Sequence, residues 1–400
     1  MAFDVFHVLA TLCVVSFSAY AGSILLSFVS WRKWIHTHAP TDDTPRAGAQ
    51  PGVSILKPCA GADDDLEGCI DSYCALRYPR MQIVFGVRDA NDKAYPIIER
   101  VRERHPELDI VVVLSGEGRH PSPKVNNLEA MAPHAKYELW WLSDSNTRVH
   151  PDTLASMVEE IQQPGIGAVV SPIVGDEEKT GGSAIENVHL NAFVATGCLL
   201  AHLVTGLAGF PGKSVLVHRD KVNAMGSWDE LGKYSGEDII LFKRIVGMGL
   251  KLVLGRHVVT NVSQHATAQR FAARHLRWAQ IRWRTVPSTA FEPFLSPLIT
   301  TLLFVTIAPS MTSLVVFGFG FLAQTVGDLF LVRTERGRSL PVKYWWAIWA
   351  RPFLALWVWF RAMFVARFEW RGNTFWMGPQ STILTEPPLR ARLRGLRTEG

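Results

Sequence analysis

The stretch KYELWWLSDSNTRVHPDT, Lys136 to Thr153, runs apolar and aromatic residues into Asp144-Ser145-Asn146. A carboxylate, a hydroxyl and an amide oxygen in succession are hard ligands of the kind Mg²⁺ or Mn²⁺ takes alongside phosphate oxygens. A nucleotide diphosphate would complete such a shell, although an ordinary Asx turn uses the same residue types. Further along, SGEDIIL (Ser235 to Leu241) opens a helical pattern with two acids in its first turn. RHLRWAQIRWR (Arg274 to Arg284) spaces Arg274, Arg277, Arg282 and Arg284 among Trp278 and Trp283, as in an interfacial helix that snorkels its arginines to lipid phosphates. His189, His202, His257 and His265 lack metal-ligand spacing such as HExxH and are read as structural, with His189 or His202 open to lining an acceptor cavity.

Short apolar runs position these residues. VSILKP, QIVFGVRD, DIVVVLSG, LWWLSDS and GAVVSPIVG alternate with segments of helical spacing such as AYPIIERVRERHP and DTLASMVEEIQQP. That alternation predicts an α/β domain with a mostly parallel sheet, whose ligands bind at the carboxyl ends of the strands. Asp89, Ser115 and Asp144 each fall at such an end.

Of the 400 residues, 48% are hydrophobic and 19% charged, unevenly distributed, which points to membrane segments joined to a soluble domain. Phe6 to Trp31 carries no acid, lysine or arginine and is long enough to span a bilayer core, which takes about 20 apolar residues. A cleaved signal peptide is the rival, but the run is long for one and no basic segment precedes it. Arg32-Lys33 after the span predicts a cytosolic face for the segment beyond it, in a bacterial inner membrane or a Golgi-type membrane. Residues 1–34 are therefore read as an anchor, 35–52 as a linker, 53–270 as the cytosolic domain and 271–293 as an interfacial region. Residues 294–332 are expected to form a transmembrane hairpin broken at Pro309-Ser310, and 333–343 a basic loop. Residues 344–366, with five tryptophans around Arg351, Pro352 and Arg361, suit an interfacial helix or a third span, and 367–400 form a basic tail. Asn187 to Phe210 is apolar enough for a span, yet spanning there would separate two halves of one domain, so a buried or membrane-facing helix is expected. Five scattered cysteines without a CxxC pair predict reduced thiols, and the net charge of +5 carries no nucleic-acid signature.

In order along the chain, VSILKPCAGADDDLEGCIDSYCALRYPRMQIVFGVRDANDKA, SPKVNNLEA, WWLSDSNTRVHPDTL, SGEDIIL and RHLRWAQIRW resemble the ceramide glucosyltransferase family over roughly residues 50 to 295. The resemblance implies a GT-A domain, a divalent cation (Mg²⁺ or Mn²⁺), a UDP-sugar donor and inverting transfer to a ceramide-like lipid at the bilayer. It assigns Asp89 to the nucleotide, Lys124 to the donor, Asp144 to the metal and Asp238 to the catalytic base. Asn146 stands where an acid is expected, so Asp144 is left as the main metal carboxylate. Arg274, Arg277 and Trp278 fit the (Q/R)xxRW signature, which implies donor binding by all three and a catalytic role for Arg277. EWRGNTF (Glu369 to Phe375) is similar to the family's terminal WR motif.

Chemistry supports the implied roles. Breaking a sugar–UDP bond leaves negative charge on the β-phosphate, which a cation and a bidentate Arg277 would stabilise. Trp278 offers a planar wall. Asp238 sits where the positive end of a helix favours a carboxylate, and as a weak base it would take the acceptor proton late. Plainer readings stand beside each role: a helix cap for Asp238, a turn for Asp89, a solvated loop for Lys124. Related hopanoid-pathway transferases, which add N-acetylglucosamine to a polyol, are also similar, and glucose is not separable from galactose. A processive synthase would carry QxxRW and more spans. A non-catalytic scaffold would have lost Asp144, Asp238 or Arg277, and all three are present.

Overall fold

The computed structural model describes residues 4–37, 50–62, 64–205, 211–224, 226–370 and 372–388. Most of the expected linker and the arginine-rich end of the tail lie outside these residues. The chain divides into two compact units. One holds Thr37–Asp176, Ala201–Gln264 and Arg367–Gly400; the other holds Met1–His36, Glu177–Leu200 and His265–Ala366.

Among the described residues the first unit is built on thirteen strands. In chain order they are β1 (Val53–Pro58), β2 (Met81–Val87), β3 (Ile110–Leu114), β4 (Leu139–Ser143), β5 (Thr147–Arg148), β6 (Ile166–Val170), β7 (Ile173–Asp176), β8 (Ser214–His218), β9 (Lys251–Leu254), β10 (Val259–Val262), β11 (Arg367–Trp370), β12 (Asn373–Met377) and β13 (Ile383–Leu384). Seven form one mixed sheet in the order β3-β2-β1-β4-β8-β6-β9. The first four of that order are parallel to one another, and β8 runs antiparallel to both β4 and β6. The α/β expectation is borne out. The near-continuous apolar strands are those of a sheet covered on both faces, and Ile55, Ile83, Phe85 and Trp141 are buried in one core. Burying a side chain the size of Phe85 contributes about 1.5–3 kcal/mol. The Trp141 indole N–H donates to Ser214 Oγ at 2.9 Å, so its polar edge is also satisfied.

The run GAVVSPIVG is not one strand. Ser171-Pro172 splits it into β6 of the main sheet and β7 of a second sheet, ordered β5-β10-β7. Proline has no N–H to continue a ladder, which accounts for the change of sheet. The third sheet is the meander β11-β12-β13.

The second unit is helical. Among the described residues two helices are long and apolar enough to cross a membrane, Val5–Val29 with mean hydropathy 2.0 and Met311–Arg336 with 1.8. Where a 294–332 hairpin is expected, the chain forms the helices Pro297–Ile307 and Met311–Arg336, the second opened by a Ser310/Ser313 capping box. The 11 residues of the first arm rise only about 16 Å, roughly half a bilayer core. With Pro287–Leu295 it forms a pair bent by 73° that would make a third span if taken as one. Trp346–Phe364 is a helix but is not among the candidate spans, nor is Gly181–His189, which runs through a π-helical turn, Leu190–Ala195, into Thr196–Thr205.

Polar ties lock these apolar helices together. Asp328 accepts from Arg351 Nη2 at 2.8 Å, Tyr20 Oη at 2.7 Å and Gln324 Nε2 at 2.9 Å, which joins three helices through one buried carboxylate. Gly320 permits the close hairpin: a Cβ there would lie 2.2 Å from Thr301 Oγ1.

Candidate active site

Because β1 to β4 are parallel, their carboxyl ends share one edge of the sheet, and the candidate residues of the first unit are placed by that edge. Asp144 comes directly after β4, fixed by a backbone bond from its N–H to the Lys213 carbonyl at 3.0 Å. Lys124, in the first turn of the helix Pro123–Met131 capped by Ser122, reaches Asp144 Oδ1 at 2.9 Å and Glu237 Oε1 at 3.0 Å. Lys213 precedes β8 and places its Nζ 3.0 Å from Asp144 Oδ2 and 3.2 Å from Asn146 Oδ1. Asn146 is oriented by its amide, which donates to Asn261 Oδ1 at 3.0 Å. Lys57, fully buried at the end of β1, donates to the Asp144 carbonyl at 2.6 Å and lies over the Tyr73 ring.

Glu237 and Asp238 open the helix Glu237–Gly247, as the acidic pattern predicts, but the cap position is Gly236. The Asp238 carboxylate instead takes the Gly212 N–H at 2.6 Å on Oδ2 and the Ile239 N–H at 2.8 Å on Oδ1. Only glycine fits at 212, since a Cβ there would lie 2.4 Å from Asp238 Cβ. The loop before this helix is held by the C-terminal meander: Ser235 N–H donates to the Ser381 carbonyl at 2.8 Å and Ile383 N–H to the Lys233 carbonyl at 2.7 Å.

Charges in the cluster are strongly coupled. Burial alone would raise the Asp144 carboxyl, but Lys124 and Lys213 outweigh it and hold the group well below the usual carboxylate range. Burial would lower Lys124, yet Asp144, Glu237 and Asp238 raise it. Burial lifts Glu237 against the pull of Lys124. Lys57 is pushed down to about 8, chiefly by burial.

Four of the residues picked from sequence, Lys124, Asp144, Asn146 and Asp238, thus belong to one network that also holds Lys213, Gly212 and Glu237. Asp89 comes after β2 at the same edge, is exposed, and closes a turn by accepting the Asn91 N–H at 2.8 Å. The signature residues lie in the second unit, on the helix Ala268–Thr285. Arg274 Nη1 pairs with buried Glu186 at 2.8 Å, the other oxygen of Glu186 meets His275 Nε2 at 3.1 Å, and the Trp278 ring stands edge-on to His275. Arg277 is half-buried on the same helix. His189 is buried between Phe193, Phe271 and His275, in keeping with a structural role.

No group of three or more His, Cys, Asp or Glu side chains with metal-holding geometry occurs among the described residues. The donors nevertheless suit a hard cation in a different sense: the Lys213 ammonium marks a point on which Asp144 Oδ2 and Asn146 Oδ1 converge. A divalent ion there would take those two oxygens and draw its remaining ligands from phosphate and water.

An open mixed sheet with a carboxylate–lysine network at its parallel strand ends thus stands in one chain with two helices apolar enough to cross a membrane. Residues 12–383 match the model of glycosyl transferase family 21, and the chain belongs to that family. It is 24% identical to ceramide glucosyltransferase 1 of Caenorhabditis elegans over 333 residues, covering 81% of this chain and 71% of that one. It is 32% identical to the ceramide glucosyltransferase of Candida albicans over 164 residues, 36% of this chain and 30% of that one. Among solved structures, a mannosyltransferase from Pyrobaculum calidifontis in complex with GDP-Man and Mn²⁺ aligns at TM-score 0.47 and 19% identity, covering 89% of this chain and 99% of that one. The protein is a glycosyltransferase.

Proposed function

We propose that the protein transfers a hexose, glucose by likeness to its relatives, from a UDP-sugar to the primary hydroxyl of a ceramide-like membrane lipid. The observation that carries this reading is the pairing of two lysines on Asp144 with an aspartate, Asp238, oriented by the neighbouring Gly212 N–H. Lys124 and Lys213 present positive charge where a donor's diphosphate would lie. As the sugar–phosphate bond breaks, UDP leaves with the electron pair, and these ammonium groups, already held in place by the network, stabilise its new charge. The lipid oxygen forms the new bond from the opposite face of the anomeric carbon, which inverts it. Its proton passes to the Asp238 carboxylate, whose two backbone hydrogen bonds keep the group aimed. A divalent cation on Asp144 and Asn146 would supply further charge to the phosphates.

The family signature assigns Arg277 to the leaving diphosphate, and Arg274 and Trp278 to holding it in place. The two apolar helices fit a lipid acceptor, and Arg32-Lys33 after the first favours a cytosolic catalytic domain. The test is a mass-spectrometric transfer assay on detergent-solubilised protein. UDP-glucose, UDP-galactose and UDP-N-acetylglucosamine are offered against ceramide and a hopanoid polyol, with and without chelator. Glucosylceramide is the expected product. Product on the polyol alone would reassign the acceptor, and no product from folded protein would overturn the reading.

A further inference from the structure

Lys213 has no counterpart among the roles that the sequence assigns, yet its position is specific. Its ammonium touches Asp144 Oδ2 and Asn146 Oδ1, and Lys124 takes the remaining oxygen, Asp144 Oδ1. Every side-chain oxygen assigned to a cation therefore already accepts from a lysine. Neither lysine is loosely placed: the side chains of Lys213 and Lys124 are 10% and 21% exposed. Lys213 is anchored at its backbone by the bond from Asp144 N–H to its carbonyl and by its place just ahead of β8. Asn146 cannot turn its oxygen elsewhere without losing the Asn261 bond.

We infer that Lys213 is a built-in occupant of the cation position, so that a divalent ion is admitted only together with the donor's diphosphate. A free dication would have to displace one ammonium while facing a second at close range, with a single carboxylate as its charged ligand. A nucleoside diphosphate changes both conditions. Its oxygens fill out the ion's shell, and its negative charge gives Lys213 a new partner beside the old one. A lysine suits this exchange because its ammonium is a point charge on a flexible stem, unlike the fixed fork of an arginine. The inference rests on the proposed nucleotide donor.

The test is Mn²⁺ retention with the full-length, detergent-purified protein after ultrafiltration, with UDP retention measured in parallel. Wild-type protein alone is expected to retain little Mn²⁺, and to retain both Mn²⁺ and UDP when they are supplied together. Lys213→Met is expected to bind Mn²⁺ without nucleotide at least about tenfold more tightly than wild type, since one like charge has been removed. Adding Asp144→Asn to that variant should abolish the gain. Wild-type protein that binds Mn²⁺ alone as tightly as with UDP would overturn the inference, whether or not the variant folds. Equal Mn²⁺ affinity in wild type and a folded Lys213→Met would overturn it as well. If UDP is never retained, the donor reading fails and takes the diphosphate half of the inference with it, while the variant comparison still decides whether Lys213 blocks the ion.

Discussion

The two carboxylates Asp144 and Asp328 are each surrounded by cationic and polar donors, yet they are built for opposite ends. Asp328 is sealed, with no exposed surface, and its partners are a planar guanidinium, a phenol and an amide drawn from three helices. Asp144 keeps about a quarter of its side chain exposed (24%), and its partners are two lysines, one in the first turn of a helix and one just ahead of a strand. A buried pair of the first kind fixes geometry and loses heavily when one member is removed. A partly open network of ammonium groups can pass its charge to an arriving ligand. The difference teaches which charges to assign to structure and which to chemistry, even where both look like salt bridges.

The comparison breaks most clearly at the chemical end. Asp238→Asn, which keeps the shape but loses the proton acceptor and one of the two backbone bonds, is expected to lower kcat by about 10²–10⁴ with the fold retained. Steady-state turnover checks it, and full activity would remove Asp238 from the mechanism. Asp144→Ala should cost about 10²–10³ in kcat/KM, again with the fold intact by circular dichroism. The opposite pattern is expected at the sealed site. Asp328→Asn leaves Arg351 buried without its counter-charge and should destabilise the protein by about 3–5 kcal/mol, while turnover per folded molecule stays within a few-fold of wild type.

Finer effects sharpen the same contrast. Gly212→Ala pushes a methyl into Asp238 and should reduce kcat by about 10² through misplacement, with UDP affinity little changed in a titration. Glu160 provides a structural pH effect away from the site. Burial raises its carboxyl to about 7 against the pull of Arg256. Below about pH 4.5 both folded and unfolded forms are protonated. Between there and about 7 only the unfolded form has lost its proton, so stability falls with rising pH and the loss is complete above 7. Unfolding midpoints across that range should decline by the equivalent of about 1–3 kcal/mol, and Glu160→Gln should flatten the decline.

What was legible in the sequence came from local pattern. The alternation of apolar runs and helical spacing announced the α/β sheet, and LWWL ending on Asp144 placed that residue at a strand end. Lys213 was hidden because its meaning depends on β4 and β8 pairing side by side, far apart in sequence. The only local hint was a Gly-Lys pair just ahead of a strand. Glu237 was seen as one of two acids in a helix turn, but its contact with Lys124 arises only in three dimensions. Asp328 is the one acid in the apolar stretch 294–332 and Arg351 a charge within another; nothing in either segment states that each is the other's partner. GAVVSPIVG reads as one apolar run, and its split at Pro172 shows only in the structure, where the proline cannot continue the ladder.

The grip of residues 381–383 on the loop 233–235 also bears on when the protein becomes competent during its synthesis. The sheet that carries Asp144 can pair its strands once the chain has reached β9. The segment leading into Glu237 and Asp238 gains its bonds to Ser381 and Ile383 only after residue 383 has been made, although its local turns can form earlier. The last strand among the described residues secures the approach to the candidate base, so a nascent chain already holding most of its fold would still lack these ties on that approach.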